Sequence, residues 1–172
     1  MLETGTMKLE LPEIEISRAS AAEADAAFSF VEEYFAAVDV VSREERNEFA
    51  LEYFGEGHGL WLARVHGDLA GCVGLRKLQC PDGFVDEGQR RAEIKRMYVR
   101  ERFRGRGIAQ RLLEAAEEFA RGEGYTWVYL DTTNEMVAAG RLYERNDYQR
   151  CERYNENPQA TIFMRKNLKS IV

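Results

Sequence analysis

The chain has 172 residues, of which 45% are hydrophobic and 31% are charged, with 30 acidic residues against 24 Lys and Arg. This length favours one domain with a substantial core, and this composition excludes an intrinsically disordered chain. No apolar run is long enough to cross a bilayer, so we expect no membrane association. The N-terminal residues lack a signal-peptide pattern, and the three cysteines are odd in number. Both observations indicate reduced thiols and a cytoplasmic location.

Two capping patterns predict where the first helices begin. We expect a flexible leader over residues 1–11, followed by a single domain over 12–172. Ser20-Ala-Ala-Glu23 is a capping box that predicts a helix start, and Ser42-Arg-Glu-Glu45 is a second one. The residues His66-Gly67-Asp68 predict a hairpin turn between two strands.

The alternation of strands and helices predicts the fold class. The elements expected in chain order are a strand at 14–16, helices to about Val38 and Phe54, strands over 60–66, 69–78 and 92–99, a helix over 108–122, a strand over 125–130, a helix over 134–145, and strands near 148–154 and 160–166. A Gly/Asp-rich loop is expected at 79–90. This βααβββαβαββ order predicts one mixed α/β domain.

The most informative segment is an Arg/Gly loop that follows the strand over 92–99. The residues of the loop are Arg104, Gly105, Arg106, Gly107, Ile108 and Ala109. They place glycines and free backbone N–H groups at the start of a helix. Such a start favours an anion, because unpaired N–H groups point outward and the helix dipole is positive there. Glycine also lets a phosphate approach the backbone. The sequence therefore predicts a phosphate-binding loop.

Charge is concentrated around the same loop. Nine cations lie between Arg90 and Arg111, opposed by Glu93 and Glu101, so this window carries +7 and the rest of the chain −13. A basic site on an acidic protein suits a small polyanion better than a long nucleic acid, so we expect no nucleic-acid partner. A dinucleotide-binding loop is disfavoured, because Gln110 stands where its third glycine is needed. With two histidines and no Cys-x-x-Cys pair, we expect no metal site.

The loop and the order of elements resemble the GNAT superfamily of acetyl-CoA-dependent N-acetyltransferases. Arg104, Gly107 and Ala109 fill its Gln/Arg-x-x-Gly-x-Gly/Ala signature. The segment 93–99 is similar to its fourth strand, and Leu142-Tyr143-Glu144 to its later Leu-Tyr-Glu element. The departures from the family pattern are Met136 at the place of a frequent Asn, Asn134 two residues earlier, and Asp147-Tyr148 in place of Gly-Phe.

The resemblance implies how acetyl-CoA would bind as cosubstrate. Its pyrophosphate would lie on the backbone amides from Arg104 to Ala109. Its pantetheine arm would pair with the main chain of Met97, Tyr98 and Val99, where the fourth and fifth strands splay apart. One N–H of that stretch would polarise the thioester carbonyl.

The resemblance also implies two catalytic residues. Tyr143 would be the general acid for the leaving thiolate, whereas the residues alone favour a core aromatic. Glu93 would be the base for the amine, or else an ion-pair partner of Lys95 or a nearby arginine. Simple alternation puts Glu93, Lys95, Met97 and Val99 on one face, although a bulge of the family in this strand would redirect Glu93.

The implied activity is acetyl transfer, by direct attack, to a primary amine of a small molecule or peptide. The acceptor site is expected between the first two helices and the 79–90 loop. The side chains available there are Tyr34, Phe35, Asp39, Phe54 and Phe84. The acidic remainder of the chain slightly favours a cationic acceptor. A non-catalytic acyl-CoA-binding or sensory domain on the same fold is the alternative, and a homodimer is compatible with either.

Overall fold

Seven strands and four helices make up the part of the chain described by the computed structural model, residues 13–79 and 89–169. The strands are β1 (Ile14–Arg18), β2 (Gly59–Val65), β3 (Asp68–Lys77), β4 (Arg91–Val99), β5 (Trp127–Thr132), β6 (Gln149–Arg150) and β7 (Ile162–Asn167). The helices are α1 (Ala24–Ala37), α2 (Arg46–Tyr53), α3 (Ile108–Gly122) and α4 (Val137–Arg145). Short 3₁₀ turns at Ala21–Glu23 and Glu101–Phe103 precede α1 and the Arg/Gly loop. The predicted βααβββαβαββ order and mixed α/β class are confirmed.

The strands form one sheet in the order β1-β2-β3-β4-β5-β7-β6. Neighbours are antiparallel except β4 and β5, which run parallel because α3 connects them. The hairpin between β2 and β3 turns at His66 and Gly67, whose φ angles are +51° and +86°. Both angles suit the tight two-residue turn that the sequence predicts.

Both faces of the sheet are covered. On one face, α3 and α4 bury an apolar stripe that includes Leu112, Leu113 and Leu142. On the other, α1 and α2 pack Phe28 and Phe49 against β2. Fully burying one such leucine contributes roughly 2–3 kcal/mol of hydrophobic free energy. Strands β2 and β3 therefore contain nearly continuous apolar runs, whose side chains alternate between the two cores.

Helix α2 begins later than the sequence predicts. The Ser20 box is confirmed, since the backbone N–H of Ser20 donates to Glu23 Oε2 over 2.9 Å. The Ser42 box is wrong, because the N-cap is Glu45 and its N–H donates to Glu48 Oε2 over 3.0 Å. The physical reason is tertiary: Glu44 turns inward to an arginine of β4 and holds the preceding segment outside the helix.

The boundaries of one further element, strand β6, differ from the prediction. Strand β6 covers Gln149–Arg150 rather than 148–154, because side chains of the following segment bond to the end of β5 instead of continuing the ladder. The predicted leader over 1–11 and most of the 79–90 loop, including Phe84, lie outside the described residues.

Strand β4 carries a bulge at Arg96. Cys72 lies opposite Tyr98, whereas Gly74 lies opposite Lys95, so β4 has one residue more than β3 over this stretch. The φ angle of Arg96 is +57°, in the left-handed region that arginine seldom adopts. The extra residue re-aims every side chain that follows it.

The bulge divides a set of side chains that alternation had put together. Glu93 and Lys95 point to the α1–α2 side, where they meet Tyr154 and Asp131. Met97 and Val99 pack into the core on the α3 side. The single predicted face is therefore wrong, because strict alternation stops at the bulged residue.

Beyond Glu93 the parallel strands separate. The register between β4 and β5 runs from Arg91 opposite Trp127 to Glu93 opposite Tyr129. The rest of β4 has no strand partner on that side within this register. The resulting gap is the splay that the family resemblance implies, and it positions the site.

Candidate active site

A cleft of about 990 Å³ occupies the gap between the separated strands. Its walls come from the α1–α2 loop (residues 38–45), from β3, β4 and the end of β5, from α4, and from the segment 155–161. This volume falls within the usual range of small-molecule sites, which are often found where strands part.

The Arg/Gly loop enters α3 in a conformation that only glycine adopts readily. Gly105 and Gly107 have φ angles of +74° and +76°. Gly107 is the N-cap of α3, and no side chain of the described residues caps it. A Cβ added at either glycine would meet no described atom within 4 Å, so the space before these amides is open. The loop is therefore shaped to receive an anionic group.

Buried contacts fix the loop to the fold. Ile108 anchors the first turn of α3 in the core, with 2% of its surface exposed. Arg104 Nε donates to the carbonyl of Val99 over 2.9 Å. The start of α3 is thereby held against the end of β4.

Ion pairs within the chain neutralise several cations of the basic window around the Arg/Gly loop. Lys95 and Arg96 form ion pairs with Asp131 and Glu44, and Arg100 with Glu33 at 2.6 Å. Arg104 and Arg106, in contrast, donate to backbone carbonyls, as does Arg111 in the first turn of α3. Bonds to carbonyls leave the guanidinium charge uncompensated, so these side chains contribute positive potential at the start of α3.

The three residues predicted to hold the pantetheine arm differ in orientation. Met97 lines the cleft. Tyr98 turns to α1, where its hydroxyl donates to Glu33 over 3.4 Å. Val99 is buried on the α3 side. The register between β4 and β5 ends at Glu93, so the main chain of all three residues lies beyond it on that side.

Thr132 supplies a polar group on the facing wall. It lies at the end of β5, lines the cleft and is 5% exposed. Its Oγ1 is buried without a hydrogen-bond partner in the described part of the chain. A buried hydroxyl of this kind fits an amide-bearing ligand such as a pantetheine arm. No local pattern in the sequence singles it out.

Tyr143 lies on α4 with its side chain on the cleft wall. Burial raises the pKa of its hydroxyl well above the ordinary value, and the nearby Tyr34 and Asp131 raise it further. Its ring lies 5.7 Å from that of Tyr148. The hydroxyl thus stays protonated at neutral pH, on the wall of the cleft.

A reciprocal pair of amides holds the two cofactor-side helices together. Gln110 Nε2 donates to Asn146 Oδ1, and Asn146 Nδ2 donates to Gln110 Oε1, both over 2.8 Å. Gln110 lies in the first turn of α3, and Asn146 is the C-cap of α4. This pair links the start of α3, and with it the Arg/Gly loop, to α4, which carries Tyr143. Nothing in the sequence indicates the pair.

Glu93 lies behind the cleft wall. Its side chain is 2% exposed, and it accepts bonds from Arg76 Nε at 3.0 Å and from the Tyr154 hydroxyl at 2.9 Å. Lys95 Nζ lies 3.5 Å from it. The ion pairs that the sequence offered as one role for Glu93 are present, and Arg76 and Lys95 separate it from the cleft.

The acceptor half of the cleft is a polar network centred on Asp131. Lys95 Nζ and Asn155 Nδ2 donate to its Oδ2 over 3.0 and 2.6 Å. Asn157 Nδ2 donates to its Oδ1 over 3.0 Å. Sequence reasoning missed these residues, because they come from three separate segments.

A glutamine closes one side of the cleft. Gln159 Oε1 accepts from the N–H of Val41 over 2.7 Å, and its Nε2 donates to the carbonyl of Asp39 over 3.0 Å. This clasp joins the α1–α2 loop to the segment before β7. Of the side chains predicted for the acceptor, Tyr34 lines the cleft, whereas Phe35 is buried beneath it.

Over 13–79 and 89–169, no group of three or more His, Cys, Asp or Glu could hold a metal ion. Within the same ranges, no helix is both long and apolar enough to cross a membrane.

Comparison with known proteins identifies the family of this arrangement. Residues 24–148 match the family described as Acetyltransferase (GNAT) family. Human N-acetyltransferase 8B is 32% identical over 108 residues, which cover 62% of this chain and 46% of that protein. Rat N-acetylaspartate synthetase is 39% identical over 88 residues, covering 51% of this chain and 27% of its own. The chain thus spans about half or less of the length of these curated relatives.

Solved structures show the same fold. A GNAT-family acetyltransferase from Staphylococcus aureus superposes with a TM-score of 0.73 at 19% identity, covering 91% of this chain and all of its own. An acetyltransferase from Salmonella typhimurium, determined with its cofactor acetyl-CoA, gives a TM-score of 0.68 at 17% identity and covers 92% of this chain and 95% of its own.

Proposed function

The chain belongs to the GNAT acetyltransferase family, and from that premise we propose that it transfers an acetyl group from acetyl-CoA to a primary amine of a small molecule or peptide. One observation carries the proposal: the glycine loop that opens α3 follows directly on a bulged β4 that has parted from β5. An anion site at the start of α3 would then lie one short turn along the chain from the strand that borders the cleft.

Acetyl-CoA would supply the acetyl thioester in this cleft. The amides from Arg104 to Ala109 would hold its pyrophosphate, supported by their open approach and by the charge of Arg104 and Arg106. The main chain of Met97, Tyr98 and Val99 would hold the pantetheine arm. Thr132, with its unpartnered hydroxyl, would offer that arm a further hydrogen bond.

Tyr143 would act as the general acid. A leaving thiolate needs a proton, and the Tyr143 hydroxyl carries one throughout the physiological range; its raised pKa comes from burial and is not itself an advantage for an acid. The Gln110–Asn146 pair supports this role, because it holds the helix of Tyr143 against the loop that would bind the cofactor.

A base role for Glu93 stays a prediction. An alkylamine has a pKa near ~10.4, so it must lose a proton before it attacks. Glu93 could receive that proton only through an intermediary, because its neighbours Arg76, Lys95 and Asn155 line the cleft and it does not contribute to that wall. The contacts favour Glu93 as an ion-pair residue.

The cleft supports an amine acceptor without naming it. Its inner cations, Arg76, Lys95 and Arg96, are each paired with a carboxylate of the chain. An acidic acceptor would have to compete with those carboxylates. This agrees with the slight preference for a cationic amine that the overall charge suggests. A cytoplasmic location and a homodimer remain proposals as well.

Isothermal titration with acetyl-CoA and, separately, with NAD tests the cofactor. We expect micromolar binding of acetyl-CoA and none of NAD. A panel of primary amines with detection of released thiol then tests the reaction. Binding without turnover on any amine would favour the non-catalytic acyl-CoA-binding alternative. Absence of acetyl-CoA binding would overturn the proposed function.

A further inference from the structure

Arg96 is unusual among the residues that hold a positive φ. The others outside glycine, in the described ranges, are Asp39, His66 and Asp147, and all lie in loops or turns. Arg96 lies inside a strand, at the bulge of β4. A bulky residue keeps such a conformation only when its surroundings hold it there.

Three contacts hold Arg96. Its guanidinium forms a two-point ion pair with Glu44, in which Nε donates to Oε1 over 2.9 Å and Nη2 donates to Oε2. The same guanidinium stacks on Phe35, 4.9 Å from the ring centroid. The carbonyl of Arg96 accepts from the buried thiol of Cys72, with Sγ at 3.1 Å.

The ion pair with Glu44 is the strongest of these contacts. The side chains of Arg96 and Glu44 are 11% and 6% exposed, so the pair is shielded from water. A planar guanidinium bound by both carboxylate oxygens has little freedom to rotate. Glu44 comes from the α1–α2 loop, 52 residues away, and the Gln159 clasp holds that loop in turn.

We propose that Glu44 is a positioning residue that clamps Arg96 and thereby fixes the bulge of β4 in the form that presents the main chain of 97–99 to acetyl-CoA. The inference rests on the proposed function for its ligand. Glu44 touches neither the reacting atoms nor the cofactor in this role. It acts through Arg96, and it couples the α1–α2 loop to β4.

The first test measures acetyl-CoA affinity by calorimetry in Glu44→Ala. We expect binding to weaken by about 10-fold, the effect of losing one charge-assisted contact. Glu32→Ala is the matched control, because Glu32 is an exposed glutamate of α1. The double variant Glu44→Ala/Arg96→Gly should recover most of the affinity, since glycine holds a positive φ without a clamp.

The second test reads the bulge directly. Burial raises the pKa of the Cys72 thiol to about 12, so the thiol is shielded and unreactive while the bulge keeps its native conformation. We expect Glu44→Ala to accelerate alkylation of Cys72 at least 10-fold, measured by mass spectrometry of the labelled peptides. Alkylation of Cys151, which is half-buried in a different cluster, should keep its wild-type rate.

These tests distinguish failure of the clamp from failure of the proposed function. Acetyl-CoA affinity and Cys72 reactivity equal to those of Glu32→Ala would overturn the clamp. If wild-type protein binds no acetyl-CoA, the proposed function falls, and the Cys72 rates still decide whether Glu44 holds the bulge. Should Glu44→Ala fail to fold, Glu44→Gln keeps the shape, removes the charge and takes its place in both measurements.

Discussion

The two halves of the cleft are built in opposite ways. The cofactor half rests on residues that are adjacent in the chain, since the loop from Arg104 to Ala109 and the strand before it form one continuous segment. The acceptor half is assembled from distant pairs: Glu44 meets Arg96 across 52 residues, and Gln159 meets Val41 across 118. Local chemistry therefore defines the proposed cofactor site, whereas tertiary contacts define the proposed acceptor site.

This contrast has an energetic side. The cofactor half relies on backbone N–H groups and two glycines, which any side chain of suitable size and charge could block. The acceptor half relies on buried ion pairs, for which the loss of one partner leaves the other charged and desolvated. Substitutions in the first half should thus affect binding with little change in stability, whereas substitutions in the second should lower stability even where, as at Glu44, they also weaken binding.

The largest expected effect is in the loop. Gly107→Glu should weaken acetyl-CoA binding by about 1,000-fold, because a carboxylate beside a pyrophosphate costs several kcal/mol. Calorimetry measures the binding, and circular dichroism confirms the fold.

Two controls isolate the charge at Gly107. Gly107→Ala introduces the same backbone strain without a carboxylate. Gly122→Glu puts the charge at the far end of α3, in equally open space. Retained binding in Gly107→Glu would show that the loop is not the anion site.

The next largest effect should be on the rate of acetyl transfer, with cofactor affinity nearly unchanged. Tyr143→Phe should lower kcat by about 100-fold, the range for loss of a general acid, with little change in acetyl-CoA affinity. Steady-state kinetics and calorimetry measure the two quantities. Tyr148→Phe, whose ring lies 5.7 Å away, is the control for packing. Unchanged turnover in Tyr143→Phe would remove Tyr143 from the mechanism.

A smaller effect should appear as stability. Glu93→Gln should lower the free energy of unfolding by about 3 kcal/mol, because Arg76 and Lys95 lose a buried partner. Denaturant titration measures it. Glu52→Gln, which affects the more exposed partner of Arg76, should cost far less.

The Glu93→Gln variant also tests whether the Glu93 carboxylate is the catalytic base. If kcat/KM loses its acidic limb in Glu93→Gln, the carboxylate is the base. An unchanged pH profile would leave Glu93 with its ion pairs alone, and wild-type stability would contradict even those.

The smallest expected effect is a loss of folding stability at low pH. Hydrogen bonds from Arg100 hold the pKa of Glu33 below its ordinary value of about 4.3. This carboxylate therefore stabilises the fold above that value and loses its contribution as the pH falls through its lowered pKa. Solvent screening keeps the contribution under about 1 kcal/mol. Thermal melts of wild type and Glu33→Gln should converge as the pH falls through that lowered pKa; parallel curves would exclude this linkage.

The sequence predicts the cofactor half for physical reasons. A glycine-rich turn, an amphipathic stripe and a helix start within one segment carry their own signals, so the loop, α3 and the fold class follow from local pattern. The family match over 24–148 confirms the family that these residues resemble.

The rest depends on contacts that no local pattern encodes. Residues 42–48 contain two overlapping capping patterns, and the inward turn of Glu44 selects the later one. The bulge at Arg96 involves no glycine, and the apolar positions shift from Ala92 and Ile94 to Met97 and Val99 across it, a change of phase that by itself does not identify the bulged residue. Thr132 and the Gln110–Asn146 pair likewise owe their roles to neighbours in space.

The gap between β4 and β5 also has a consequence for native-state dynamics. The two strands pair over three residues, whereas β5 and β7 pair over six. The sheet is thus two panels, β1 to β4 and β5 to β7, joined by a short seam. Because strand pairing protects amides from hydrogen exchange, each panel should exchange as its own cooperative unit. The panel from β5 to β7, with fewer strands and a two-residue edge at β6, should open at the lower free energy.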